Sequence, residues 1–132
     1  MKQLNYFIQE KLKINSKSKI IKYNYNYHPK NRNELKELVD NLIKERGKNA
    51  DLNDIDVSKI TDMSRLFQGS AFNGDISNWD VSNVKDMLRM FAYSNFNGNI
   101  SKWNVNPNTD MRDMFRCCPI KIQKNIPKWY HE

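Results

Sequence analysis

Two adjacent cysteines and two histidines are the residues best suited to nucleophilic or metal chemistry in this chain of 132 residues: Cys117, Cys118, His28 and His131. Structural zinc requires Cys and His ligands in closely spaced pairs, whereas the two histidines lie at opposite ends of the sequence. A nucleophilic cysteine requires a base beside it, and only these distant histidines are available. Adjacent cysteines rarely bridge each other, because a disulfide needs well-separated Cα atoms. We therefore expect reduced thiols, no metal site and no catalytic cysteine.

Carboxylates that could serve as general acids or bases recur along the chain with a fixed spacing. Asp62, Asp86 and Asp110 stand 24 residues apart. An active site needs its residues only once, so this recurrence favours a structural role. The polar run 51–56 does not fit the spacing of a calcium-binding loop, and the four glycines form no phosphate-binding loop. The sequence therefore predicts a protein that is not an enzyme and takes no cofactor.

The recurring aspartates belong to an internal repeat of 24 residues. Its first copy, residues 56–79, reads DVSKITDMSRLFQGSAFNGDISNW, and its second, residues 80–103, reads DVSNVKDMLRMFAYSNFNGNISKW. A third copy begins at residue 104 as NVNPNTDMRDMF and degenerates towards residue 129. Such recurrence is typical of stacked repeats, in which each copy buries its apolar edges against its neighbours. The recurring apolar residues are therefore predicted to form the core and not a ligand groove: Met63, Met87, Met111, Phe67, Phe91, Phe115, Trp79 and Trp103.

Within one copy, the spacing of apolar residues predicts two short elements. The segment that leads into Val81 is expected to be extended. Val84, Met87 and Phe91 lie three and four residues apart, which indicates one face of a short helix. Asn97 and Gly98 are expected to form a turn, since both residue types tolerate a positive φ.

The first 50 residues precede the repeats and contain the clearest helix signal. Asn31, with Glu34 three residues later, has the pattern of a capping box, and Gly47 stands where a helix would end. We expect a helix over residues 32–46, whose apolar face is Leu35, Leu38, Val39, Leu42 and Ile43. We also expect a first helix over residues 3–13 and a strand over residues 21–27, where apolar and polar residues alternate.

Positive charge is concentrated in the same N-terminal segment. Residues 1–50 hold 12 Lys or Arg against 5 Asp or Glu, whereas residues 51–132 hold 10 of each, so the net charge of +7 lies in the first part. Lysines that pair with phosphates and tyrosines that stack on bases are suited to single-stranded nucleic acid. This candidate interface comprises Lys11, Lys13, Lys17, Lys19, Lys22, Tyr23 and Tyr25. Alternatively, the tyrosines pack on the helix while the lysines are solvated.

The repeat resembles that of the BspA-type leucine-rich-repeat surface proteins. The resemblance rests on the pattern D-V-S-x-V-x-D-M-x-x-M-F, followed by F-N-G-D-I-S-x-W, and covers about residues 51–118. Such short repeats are common in gut bacteria and mycoplasmas and also occur in mobile elements and viruses. The resemblance implies a right-handed parallel solenoid that binds proteins, often in adhesion.

The expected fold is therefore α/β: a short leucine-rich-repeat-like right-handed solenoid over residues 51–132 with an N-terminal helical or α/β cap over residues 1–50. The expected function is non-catalytic protein binding, one form of which is a phage- or mobile-element-encoded modulator of a host protein. Nucleic-acid or ribonucleoprotein binding by the N-terminal segment and a surface-adhesin fragment are the alternatives. No transmembrane run or signal peptide is seen in the sequence, so we expect a cytoplasmic protein; homo-oligomerisation stays open.

Repeat proteins bind partners through surfaces that extend over successive units. The exposed, variable positions of the copies are therefore the predicted contact residues. They are Lys59, Arg65, Gln68, Lys85, Arg89 and Lys102.

Overall fold

The computed structural model describes residues 14–15, 20–21 and 25–132. Two short strands, β1 (Ile14–Asn15) and β2 (Ile20–Ile21), pair antiparallel, with Ile14 opposite Ile21. A long helix, α1 (Arg32–Arg46), precedes the repeats, and a short helix, α2 (Pro119–Ile122), follows them. The helix predicted over residues 3–13 lies outside the described residues.

Helix α1 has the predicted bounds, and its caps explain them. The Oδ1 atom of Asn31 accepts a hydrogen bond from the Glu34 N–H at 3.0 Å, which satisfies a donor of the first turn. At the other end, Gly47 has a φ of +94°, and its N–H donates to the Ile43 carbonyl at 2.8 Å. Three of the five predicted apolar residues are buried against the repeats: Leu35, Val39 and Leu42.

The strand predicted over residues 21–27 is wrong for residues 25–27, which do not form a strand. Tyr27 makes only a single parallel bridge, with Ile55. The N–H of Asn26 donates to the Asp54 carbonyl at 3.0 Å, and the N–H of Asp56 donates to the Tyr27 carbonyl at 2.8 Å. These bonds attach the N-terminal segment to the start of the repeats without forming a strand.

The predicted α/β leucine-rich-repeat-like solenoid is also wrong. Such an array lines up one strand from each copy in a continuous parallel sheet. Among the residues that the structure describes, strands are confined to β1 and β2, and the bridges within the repeat region are isolated ones, between residues 51 and 75, 62 and 86, and 86 and 110. The short helix expected around Met87 is replaced by turns over residues 88–93. Residues 47–118 are turns, bridges and irregular backbone.

The backbone hydrogen bonds explain why neither a strand nor a helix forms in the repeat. The N–H groups of residues 87, 89, 91 and 93 donate to carbonyls of the third copy at 2.8–3.0 Å. The N–H groups of residues 90, 92 and 94 instead donate to the carbonyl three residues earlier in their own copy. Since successive N–H groups are directed alternately to the next copy and into a local turn, the chain forms neither a continuous helix nor an extended strand here. The first copy follows the same alternation from Met63 to Ser70.

Left-handed residues close these turns at two positions in every copy. Arg65, Arg89 and Asp113 have φ values of 53–55°, and four residues later Gly69, Tyr93 and Cys117 have φ values of 51–68°. An extended strand excludes this conformation. The backbone of each copy is therefore a series of turns that stacks on its neighbours.

Phenylalanine rings stack in columns through the core. The ring centroids of Phe67 and Phe91 are 5.5 Å apart, and those of Phe91 and Phe115 are 5.7 Å apart. A second column pairs Phe72 with Phe96 at 6.1 Å. The recurring methionines are buried beside them. The prediction that the recurring apolar residues form the core is confirmed.

Tryptophans connect each copy to the chain segment that is stacked before it. The indole Nε1 atoms of Trp79, Trp103 and Trp129 each donate to a carbonyl oxygen at 2.9–3.0 Å. The acceptors are Leu52, Ile76 and Ile100, respectively. Trp129 comes two residues later than the period requires, yet it stacks on Trp103 at 6.0 Å. The degenerate third copy therefore keeps the same inter-copy bond.

The glycines of the Asn-Gly pairs allow close packing and do not form the predicted turns. Neither Gly74 nor Gly98 has a positive φ. A Cβ atom at Gly74 would overlap the carbonyl oxygen of Ala50, and one at Gly98 would lie 2.7 Å from the Phe96 ring. Only glycine leaves room for the Ala50 backbone at position 74 and for the Phe96 ring at position 98.

Both ends of the stack are covered. Helix α1 packs on the first copy, and the Nε atom of its first residue, Arg32, donates to the Ser64 carbonyl at 2.6 Å. At the other end, the ring of Tyr130 lies edge-on to Phe115 at 5.0 Å. Neither helix in the described part of the chain has the length and apolar character needed to cross a membrane.

Candidate binding surface

The Asp-x-Ser motifs of the repeat form local turns. The Oδ1 atom of Asp56, Asp75 and Asp80 accepts from the N–H of the serine two residues later at 2.9–3.1 Å and from its hydroxyl at 2.6–2.7 Å. Aspartate and serine favour such turns because their side chains satisfy nearby backbone donors. These carboxylates therefore shape the chain between copies.

Asp62, Asp86 and Asp110 have a similar structural role. Their Oδ1 atoms accept from the N–H two residues later at 2.8–3.1 Å, and their backbones form the bridges between copies. Asp110 also binds the guanidinium of Arg112 at 2.7 Å, which lowers the pKa of the carboxyl group. The recurrence that the sequence shows thus reflects recurring hydrogen bonds.

The two cysteines lie in different environments. Cys118 is buried at the position that serines occupy in the earlier copies; its thiol donates to the Phe96 carbonyl at 3.1 Å and lies 3.7 Å from the Ser94 hydroxyl. Burial raises the pKa of this thiol, which disfavours the nucleophilic thiolate. Cys117 is exposed. Both thiols are free, and residues 25–132 hold no group of three metal-ligating side chains.

Each histidine has a hydrogen-bond partner that is not a cysteine. His28 Nδ1 lies 3.4 Å from the Oδ2 atom of Asp56, near the N-terminal end of the stack. His131 Nε2 lies 3.0 Å from the carbonyl oxygen of Pro107. The expectation of a protein without catalysis, metal or cofactor stays a prediction.

An ion pair between a buried carboxylate and a partly exposed arginine joins the end of α1 to the segment that precedes the first copy. Arg46 Nη1 and Nη2 donate to the two carboxylate oxygens of Asp54, each at 2.9 Å, and Asn26 Nδ2 donates to Oδ2 at 3.0 Å. Burial alone raises the pKa of Asp54, but the hydrogen bonds from Arg46 and Asn26 outweigh it and hold the pKa below its usual value. A carboxylate with all these partners is a structural anchor.

The predicted contact residues fall on several turns of the repeat. Arg65 and Arg89 occupy equivalent left-handed positions, and Gln68 shares the turn of Arg65, since its N–H donates to the Arg65 carbonyl at 3.3 Å. Lys59, Lys85 and Lys102 are exposed at other positions of the copies. The structure thus brings three of the six together, and the contact role of all six stays a prediction.

A tyrosine that the sequence reasoning did not select lies beside this group. Tyr93 is 51% exposed, and the guanidinium carbon of Arg116 lies 6.0 Å from its ring centroid. The carboxylate of Asp113 lies 3.6 Å from Arg89 and 3.8 Å from Arg116. We call the residues Arg65, Gln68, Arg89, Tyr93, Asp113 and Arg116 the turn surface. The glycine at the equivalent position of the first copy, Gly69, is the feature of the sequence that indicates a positive φ at Tyr93.

The alternative nucleic-acid interface is mostly outside the described residues, which do not include Lys11, Lys13, Lys17, Lys19, Lys22 or Tyr23. Tyr25 is half-buried, and its ring lies edge-on to His28 at 6.4 Å. The packing of this one tyrosine agrees with a structural role for it and leaves the lysines untested.

Comparison with known proteins identifies the repeat region. No curated protein and no solved structure matches the chain. One family model matches residues 33–132, which include nearly all of α1, every copy of the repeat and the C-terminal segment. The chain therefore belongs to the family described as Mycoplasma protein of unknown function, DUF285.

Proposed function

We propose that this chain is a non-catalytic protein-binding module that contacts its partner through the turn surface. The exposure and conformation of Tyr93 are the observation that carries the proposal. It is half-exposed, holds a φ of +59° and is stacked by Arg116. Tyrosine and arginine are the residue types that most often dominate the binding energy of protein interfaces.

Tyr93 carries two free-energy costs that a glycine at the same position would avoid. A residue with a Cβ atom in the left-handed conformation costs about 1–2 kcal/mol, and a half-exposed ring leaves apolar area in water. Gly69 occupies the equivalent position in the first copy, so the turn forms without an aromatic side chain. A partner that buries the ring would recover part of this cost, and the nearby charges would form a polar rim.

The resemblance to BspA-type surface proteins supports the same function, because their repeats bind proteins. The recurring apolar and aspartate residues of the copies are occupied by core packing and turn formation, which leaves other exposed positions, such as Arg65 and Tyr93, for recognition. A modulator of a host protein, carried by a phage or mobile element, is one form of this proposal.

Nucleic-acid or ribonucleoprotein binding by the N-terminal segment is the second candidate. The concentration of the whole net charge in residues 1–50 favours it. Electrostatic binding of this kind weakens steeply as salt rises. Nuclease and salt therefore separate the two functions in one experiment.

The test is affinity capture with the tagged chain from a lysate of the native host, run with and without nuclease. We compare the unaltered protein, Tyr93→Gly and Cys117→Gly, which makes the same backbone change at the equivalent position of the third copy. We expect a protein that is retained by the unaltered chain and by Cys117→Gly, and lost with Tyr93→Gly. Retention that disappears after nuclease treatment would contradict the proposal and favour the second candidate.

A further inference from the structure

A cleft lies between the end of the second copy and the C-terminal segment. It has a volume of about 500 Å³, and its walls are residues 97–101 on one side and residues 124–128 on the other. Lys124 and Lys128 are the charged residues among the ten that line it, and none of the ten is acidic. The cleft therefore presents positive charge to a ligand.

Comparison of the two full copies shows that the fold does not require an uncharged residue at position 99, in the wall of the cleft. Asp75 in the first copy corresponds to Asn99 in the second, and the Oδ1 atom of each accepts from the N–H and hydroxyl of the serine two residues later at 2.7–3.0 Å. The amide thus preserves the turn and removes a negative charge. Three residues further on, Asn78 is replaced by Lys102, which adds a positive charge. The first difference removes a negative charge from the wall of the cleft, and the second adds a positive charge at the residue that follows this wall in the sequence.

Exposed apolar side chains lie beside the lysines. Ile122 is 75% exposed and Ile126 is 38% exposed, and Ile126 lines the cleft. Burial of apolar surface of this kind is worth about 25 cal/mol per Å². A nucleic-acid strand would pair with the lysines but would require aromatic rings for its bases, and the ten lining residues include none. A peptide that alternates carboxylates with apolar side chains matches both features.

We propose that this cleft binds an acidic peptide segment with apolar side chains, supplied by the partner protein. Lys124 and Lys128 pair with its carboxylates, and Ile126 contacts an apolar side chain between them. The inference rests on the proposed function in that the ligand is part of a protein. It adds a second contact site, separate from the turn surface, and the chemistry of its ligand.

The test measures fluorescence anisotropy of a labelled peptide of about 12 residues with alternating Glu and Leu. The full chain is compared with Lys124→Glu/Lys128→Glu and with Lys30→Glu/Lys48→Glu, which reverses two exposed charges far along the sequence from the cleft. We expect the cleft variant to weaken binding by about tenfold or more and the control variant to change it by less than about threefold. Ile126→Ser should weaken binding without altering its salt dependence.

Three results would overturn the proposal. The first is no binding of the Glu-Leu peptide, and the second is equal weakening by the two charge-reversal pairs, which would indicate general electrostatic attraction. The third is tighter, Lys124-dependent binding of an oligothymidine strand or of vesicles rich in phosphatidylserine. Tyr93→Gly should leave peptide binding unchanged, so a failure of the cleft and a failure of the turn surface give different results.

Discussion

Alanine substitutions at three glycines should destabilise the protein to very different extents. Gly74→Ala places a Cβ atom on the Ala50 carbonyl, which also accepts the Asp75 N–H at 3.0 Å, and 2.6 Å from a ring carbon of Phe72. Overpacking costs about 1–3 kcal/mol, and a lost hydrogen bond adds about 1 kcal/mol. We therefore expect a loss of about 3 kcal/mol or more for this substitution.

The other two glycines provide the comparison. Gly98→Ala meets mainly the Phe96 ring at 2.7 Å, with the Gly74 carbonyl at 3.3 Å, so we expect about 1–2 kcal/mol. Gly69→Ala meets nothing within 4 Å, and its left-handed φ of +68° alone costs about 1–2 kcal/mol.

Urea denaturation followed by tryptophan fluorescence measures all three free energies of unfolding. The close-approach explanation requires Gly74→Ala to cost more than either Gly98→Ala or Gly69→Ala. If Gly74→Ala cost no more than Gly69→Ala, the explanation would be refuted, and the Asn-Gly pairs would need another one.

Three further predictions concern stability and reactivity. Arg46→Met should cost about 3 kcal/mol in urea denaturation, because it leaves the Asp54 carboxylate buried without its cation. Since the folded pKa of Asp54 is lowered, the stability that this carboxylate contributes is complete above its unfolded pKa of about 3.9 and is lost as the pH falls below that value towards the folded pKa. If acid lowered the free energy of unfolding of the unaltered protein no more than that of the variant, this explanation would be contradicted. Trp129→Phe should cost about 1 kcal/mol through the lost indole hydrogen bond, and an unchanged free energy of unfolding would show that this bond contributes nothing. A thiol reagent should modify Cys117 rapidly and Cys118 only on unfolding, so two fast thiols in the native protein would show that Cys118 is not buried.

The sequence was sufficient for the features that depend on local chemistry. Helix α1 is defined by its caps, Asn31 and Gly47, and the stacked phenylalanines follow directly from the period of 24. The α/β assignment was wrong because apolar residues three and four positions apart are buried on one side both in a helix and in a series of turns. Val84, Met87 and Phe91 satisfy that spacing through turns whose N–H groups alternate between copies, not through a helix.

The left-handed positions explain why the turn surface was only partly predicted. Arg65 and Arg89 have no intrinsic preference for a positive φ, so their types do not reveal the turn that places them together. Gly69 marks the second position in one copy only, and Tyr93 conceals it in the next. The basic cleft depends on the path of residues 119–129, where the repeat degenerates and the sequence period no longer predicts position.

Photo-crosslinking in the native host tests protein binding by the turn surface most directly. A benzophenone-bearing phenylalanine replaces Tyr93 in one variant and the exposed Lys48 in the other. The proposed function predicts a discrete protein adduct on irradiation of the first variant, unaffected by nuclease, and none with the second. Absence of an adduct at position 93, or equal adducts at both positions, would contradict it.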